Sequence, residues 1–203
     1  MRRKSALLVT GFAFTFIALA FADTNRDFHD QDLRDRDFTG DVLNGANFKD
    51  AIVARAKFIN TSLKKATFKG ADMTGALFKG ADLTGADMTD TRGQIKCDSA
   101  NLEGANLVSV DFGKVVTSSF KKANLQGASF GDSCTKDDFA GADLRNANFR
   151  GALGLSNNRF NGALYDDDTA WPTDFDPEGH YMVHVTREQE KAADDAAKQD
   201  APK

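Results

Sequence analysis

The sequence predicts an all-β solenoid, a chain of short straight edges wound around a filled axis. Two observations carry this: a large apolar residue recurs every five positions, and alanine stands two positions before most of them. The recurrence is unbroken through Phe28, Leu33, Phe38, Leu43, Phe48, Val53, Phe58, Leu63, Phe68, Met73, Phe78, Leu83 and Met88. A helix turns about 100° per residue, so a step of five scatters these side chains around it. On a flat strand an odd step sends successive members to opposite faces. The set is buried together only if the chain turns the same way after every edge. Ala46, Ala51, Ala56, Ala66, Ala71, Ala76, Ala81 and Ala86 then let a narrow interior close. Asp or Asn often precedes the apolar residue, facing water or the corner backbone. Glycine often stands two after it, where a corner needs angles that side chains resist.

Residue type bears on the number of edges per turn. Phenylalanine fills every second slot from 28 to 78. A square coil of twenty residues stacks Phe28, Phe48 and Phe68 on one face and Phe38, Phe58 and Phe78 on the opposite one. Leu33, Val53 and Met73, and Leu43, Leu63 and Leu83, form the other two. A triangular coil of fifteen would set Phe28 over Leu43, so like-on-like stacking favours the square.

Past Met88 the spacing slips but continues: Cys97, Leu102, Leu107, Phe112; Phe120, Leu125, Phe130; Cys134, Phe139, Leu144, Phe149; Leu155, Phe160, Tyr165. With the Arg92 region as one slot, this gives about seven coils, a rod of roughly 34 Å. In that register Phe120, Phe139 and Phe160 share the face of Phe38, and Phe130 and Phe149 that of Phe28. Arg26, Gln31, Arg36 and Asp41 replace alanine in the first four repeats and read as a polar lid over the open end. Trp171 and Phe175 can cover the last coil. Thr186-Arg-Glu-Gln189 reads as a capping box opening a short helix, followed by a polar tail.

The A-[D/N]-[L/F]-x-x runs resemble the pentapeptide-repeat family. The resemblance implies a right-handed quadrilateral β-helix, and Tyr165 to Pro177 is similar to a tail that follows the repeats in many members. The chain then divides into a leader (1–22), the repeat β-helix (23–165), and a C-terminal cap, helix and tail (166–203). The best-characterised activity of the family is DNA mimicry, in which cytoplasmic members present an acidic rod to DNA gyrase and protect it from quinolones. Such a rod needs a continuous negative stripe. Here Lys49, Lys57, Lys64, Lys65, Lys69 and Lys79 interrupt the sides.

Residues 1–22 read as an export signal: Arg2, Arg3 and Lys4, an apolar stretch from Ala6 to Leu19, then Ala20-Phe21-Ala22, with cleavage between Ala22 and Asp23. No cysteine follows for lipid attachment. The expected location is the periplasm, or the thylakoid lumen in a photosynthetic source, with no membrane insertion after cleavage. Acidic residues outnumber basic ones, 30 to 26, which speaks against nucleic acid as a partner.

Chemistry-bearing motifs are sparse. There is no nucleophile elbow and no phosphate-cradling glycine loop, and the glycines belong to the repeat. The reading is a non-enzymatic binding or scaffold module without cofactor, acting on an unidentified protein partner, of open oligomeric state; an enzyme is the competing class. Two possibilities stand for Cys97 and Cys134. An oxidising compartment invites a disulfide, whereas the slot count puts them two coils apart on different faces. His180 and His184, four apart, lack further metal ligands nearby and read as structural; Asp166, Asp167 and Asp168 read as a solvated turn. Ile59 and Leu77 are expected to point outward on neighbouring coils. Gly113 to Ser119 is expected to form a loop carrying Val115 and Val116, and these four residues are the candidate partner surface. The intact mass of the exported protein should correspond to a chain beginning at Asp23; a start at Met1 would contradict export.

Overall fold

The computed structural model describes residues 26–192, so the leader and its Ala22–Asp23 boundary lie outside the described residues. Each five-residue edge contributes one bridging residue, the one before the apolar slot. It pairs in parallel with its counterpart twenty positions on: Asp27 with Asn47, Asp32 with Ile52, Asp37 with Lys57, Val42 with Ser62. Twenty residues therefore complete one turn of four edges. The faces, in order of winding, are named here by their first inward residue: Phe28, Leu33, Phe38 and Leu43.

The repeat motif follows from the backbone hydrogen bonds of one edge. The slot N–H donates to the next coil (Phe48 to the Thr67 carbonyl, 2.7 Å), and the preceding N–H donates to the previous one (Asn47 to Arg26, 2.7 Å). The alanine N–H closes the corner by donating to the slot carbonyl before it (Ala46 to Leu43, 3.1 Å). The residue two after the slot has positive φ, from Asp30 (60°) and Asp35 (58°) to Gly70 (72°), which suits Gly, Asn and Asp. The N–H one after the slot has no place in these ladders. It is taken by the Asp or Asn carboxyl or amide oxygen two residues earlier: Thr39 on Asp37 (3.0 Å), Lys49 on Asn47 (3.1 Å), Thr74 on Asp72 (3.0 Å).

Inside, rings stack along the axis at one coil per ring: Phe28 on Phe48 (4.7 Å), Phe48 on Phe68 (4.7 Å), Phe38 on Phe58 (4.9 Å) and Phe58 on Phe78 (4.9 Å). The two stacks face each other across the interior edge to face, as Phe48 and Phe58 do at 5.5 Å and 86°. The square coil expected from like-on-like stacking is what these contacts describe.

The register after the slips differs from expectation. The segment 113–119 is no loop: strand β1 (Asp111–Val116) pairs in parallel with β2 (Ser129–Thr135), with a bulge between Phe112 and Lys114. Val115 is fully buried, three residues after Phe112 rather than five, and is an inward slot. Its omission displaces every later assignment by one face. Phe120, Phe139 and Phe160 therefore continue the Leu43 face, following Leu83 and Leu102, and Phe112, Phe130 and Phe149 continue the Leu33 face. The aromatic pair turns by one face around the axis. Leu83, Met88, Ile95, Cys97, Leu102 and Leu107 fill the coils between the two arrangements.

At the N-terminal coil, Arg26 donates to the Asn44 carbonyl (2.9 Å) and the Arg36 guanidinium lies 5.4 Å from the Phe38 ring centre. Toward the other end Trp171 stacks on Phe149 (5.0 Å), and Phe175 packs on Phe160 (5.5 Å) and on Trp171 (4.9 Å). Strand β3 (Leu164–Tyr165) pairs with β4 (Val183–His184). Helix α1, residues 187–192, opens with both bonds of the capping box: Thr186 N–H to Gln189 Oε1 (3.0 Å) and Gln189 N–H to Thr186 Oγ1 (3.4 Å). Phe58→Ala should lower stability by about 3–5 kcal/mol through the cavity it leaves. Val115→Asp, an unpaired buried charge, should cost at least as much. Thermal melts unchanged in both variants would contradict the inward placement.

Candidate functional site

The four residues of the expected partner surface separate. Ile59, Leu77 and Val116 are half-buried on the outside of the Phe38 face, whereas Val115 is in the core and is withdrawn from the surface. Cys97 and Cys134 are both buried free thiols. They lie on one face, not on different ones: Cys97 N–H bonds the Lys114 carbonyl, and Val115 pairs with Cys134. The Val115 side chain stands between them. Two coil rises, roughly 10 Å, exceed the reach of a disulfide. Burial pushes both thiols well up from their ordinary range, which keeps them protonated and unreactive.

His180 stacks on Phe175 (4.6 Å), while His184 Nε2 lies 2.9 Å from Asp167 and its ring packs on Tyr165. The three consecutive aspartates diverge. Asp166 is buried and accepts from Asn146 N–H (2.9 Å) and Thr169 Oγ1 (2.8 Å); Asp167 meets His184; Asp168 faces Arg187 at 3.5 Å. Asn146 and Thr169 thereby tie the last repeats to the tail. At the other end the ligand atoms of His29, Asp30 and Asp50 come together on the exposed surface. There His29 Nδ1 already meets the Lys49 carbonyl (2.9 Å), and Lys49 Nζ lies 3.7 Å from Asp50.

A feature unseen in the repeat pattern runs down the corner between the Phe38 and Leu43 faces. Its second inward positions are Thr61, Ala81, Ala100, Ser118, Asp137 and Asn158, where the other corners are mostly alanine. Thr61 Oγ1 donates to the Phe38 carbonyl (2.8 Å), and Ser118 Oγ donates to that of Cys97. Asp137 Oδ1 accepts the Ser118 N–H (2.7 Å); Asn158 Oδ1 accepts the Asp137 N–H (2.8 Å), and its amide donates to the Cys134 carbonyl (2.9 Å). The side chains take N–H groups that would otherwise close the corner. Asp137 is 1% exposed. Burial pushes its carboxyl up to about 6, aided by Asp98 and opposed by the Ser118 N–H and the Cys134 thiol. On the surface the opposite holds. Although burial raises it, the Asp143 carboxyl is held below its usual range by Arg145 and Gln126. An open groove of roughly 570 Å³ lies beside Trp171, lined among others by Leu153, Leu155, Asn157 and Asp174.

This geometry is that of a parallel β-solenoid with four edges per turn and a core filled by its own side chains. The family model for pentapeptide repeats matches residues 42–80 and 54–90. A pentapeptide repeat protein from the Arabidopsis thaliana thylakoid lumen is 38% identical, over 52% of this chain and 68% of that one, with a TM-score of 0.40. QnrB1, a plasmid-mediated fluoroquinolone resistance protein, is 18% identical over 85% of this chain and 86% of that one (TM-score 0.43). A pentapeptide repeat protein from Nostoc is 20% identical over 79% and 86% (TM-score 0.24). No curated protein matches the chain significantly. The chain belongs to the pentapeptide-repeat family, whose members fold as right-handed quadrilateral β-helices and are generally non-enzymatic structural or binding modules.

Asp137 gives the fold a pH dependence of defined sign. The folded chain binds this proton more tightly than the unfolded chain, whose carboxyl stays near 3.8. The group is therefore neutral for stability below pH 3.8, turns unfavourable as pH rises toward 6, and exerts its full penalty above that. The difference corresponds to about 3 kcal/mol. Relative to the wild type, Asp137→Asn should gain about that much in unfolding free energy between pH 4 and pH 7. Denaturant melts of both proteins across this range measure it, and a difference independent of pH would contradict the buried, proton-binding carboxyl.

Proposed function

We propose that the chain is a non-enzymatic, exported scaffold: a rod of about seven coils, closed by its polar first repeats and by Trp171 and Phe175. It acts on protein partners in the periplasm, or in the thylakoid lumen of a photosynthetic source. One observation carries the reading. From Phe28 to Trp171 the interior is filled coil by coil with stacked side chains, while the outward positions form straight ladders of mostly polar and charged groups. A rod built this way offers rigid faces and presents its variable residues outward, as repeat proteins that bind do. The leader motif and the resemblance to a lumenal relative support the location. Acidic and basic groups alternate along the sides, as in the Asp35–Arg55 pair (2.7 Å) and the Asp82–Lys64 pair (3.1 Å), which breaks the negative stripe that DNA mimicry needs.

Cross-linking in the native envelope, with adducts identified by mass, tests this directly. The chain should fractionate with the exported proteins and yield a recurrent adduct with the same partner. Retention in the cytoplasm, or saturable binding to gyrase, would overturn it.

A further inference from the structure

The outward side chains of the Phe38 face are distributed unlike those of the other three. One column of the face runs Lys57, Leu77, Lys96, Lys114; the parallel column runs Ile59, Lys79, Asp98, Val116. Four consecutive coils thus each present one lysine, and three of them pair it with a half-buried aliphatic side chain lying flush with the surface. Asp98 is the one acid among these eight positions, and it pairs loosely with Lys114 (3.5 Å); Lys57 meets Asp37 of the first coil at 3.6 Å. Lys79 and Lys96 form no ion pair among the described residues. The opposite, Phe28 face carries Asp27, Asp30, Asp50, Asp87, Asp90 and Asp143, against Lys49, Lys69 and Arg145.

We propose that the Phe38 face is a docking surface for the anionic headgroups of a lipid bilayer, held peripherally without insertion. Three features favour a lipid plane. Coil follows coil in parallel pairing from Lys57 to Val116, so the lysines of this stretch stand in one straight line, and the groove beside Trp171 opens only further along the face, at Leu153 and Leu155. Its cations are all lysines, which are compact charges on flexible stems; interfaces with folded proteins are depleted in lysine and use arginine's planar fork. Outward arginines lie on the other faces instead: Arg34, Arg55, Arg92 and Arg150 on the Leu33 face, Arg145 on the Phe28 face and Arg159 on the Leu43 face. The third feature is charge polarity across the rod. Charged groups on opposite faces stand roughly 20 Å apart, about twice the screening length in 0.1 M salt. An anionic plane at the Phe38 face therefore meets the lysines and is shielded from the aspartates behind. Ile59, Leu77 and Val116 lie flush, so they add contact without driving insertion, and no described helix is long and apolar enough to cross a membrane.

The inference goes beyond the scaffold reading, and its failure leaves that reading intact: the rod would lie on a membrane by one face and leave the others to proteins. The test is co-sedimentation of the full chain with vesicles of phosphatidylcholine alone or with about 30% phosphatidylglycerol, whose headgroups give the surface a negative potential. The paired variant K79Q/K96Q is compared with K49Q/K69Q, which removes the same charge from the opposite face; any contribution of the apolar leader is common to all. Each lysine lost from the docking face should weaken binding to the anionic vesicles about fivefold, so K79Q/K96Q should fall by about 25-fold. K49Q/K69Q should bind at least as well as the wild type, and added salt should release the wild type. Equal losses in both variants, or equal binding to neutral vesicles, would overturn the proposal. So would retention on immobilised polyglutamate with no binding to anionic vesicles, which would assign the face to an acidic polypeptide instead. Circular dichroism and melting of both variants should match the wild type, since all four lysines are exposed.

Discussion

The structure depends on the width of its interior. Four edges of five residues enclose a channel that admits one large side chain per edge and only a small residue beside each corner. Opposed phenylalanines meet edge to face across it, and successive coils bring like ring onto like ring at about one strand spacing. Each slot contributes roughly 1.5–3 kcal/mol of burial before entropy. That is enough for the rod to hold without a metal or a disulfide. The alanine columns are the other side of the same constraint, because a larger second residue would push the coil open.

The backbone imposes the rest. A corner every five residues leaves one N–H in each repeat outside the ladders, and an unpaired N–H under a close-packed surface is expensive. Where Asp or Asn stands before the slot, its side-chain oxygen accepts a hydrogen bond from that N–H. This explains why an acidic repeat is compatible with a fold that needs no acidic chemistry. Where the corners become irregular, side chains inside the channel take over: Ser118, Asp137 and Asn158 bond the N–H and carbonyl groups that regular turns would have paired. Asp137 is the costliest of these, since it is buried as an acid and not as a hydroxyl or amide.

The regular half of the rod was legible from residue spacing alone, because there every corner has the same length and side-chain type alternates with face. The Phe28 and Phe38 stacks follow from the spacing of phenylalanine in every second slot. The irregular half was not. Phe112 and Val115 are three residues apart along a continuous strand, so the corner between them leaves no five-residue mark. One missed valine moved all later rings by a face, set the cysteines apart, and put Val115 on the surface. The capping box at Thr186 was readable because its two bonds span three residues. The polar corner column was hidden, because its positions lie a full coil apart, 18 to 21 residues, and its members look like ordinary substitutions for alanine. The lysine face was hidden for the same reason: its charges gather only when the coils are laid over one another.

The four-sided winding is tested most directly by deleting whole segments from the regular half. Removal of residues 54–73 takes out one complete coil and returns every later side chain to its own face, so thermal unfolding should remain cooperative with a modestly lowered midpoint. Removal of residues 54–68 takes out three edges and sets each later face over the wrong neighbour, which should abolish cooperative unfolding. A fifteen-residue deletion tolerated as well as the twenty-residue one would contradict the account.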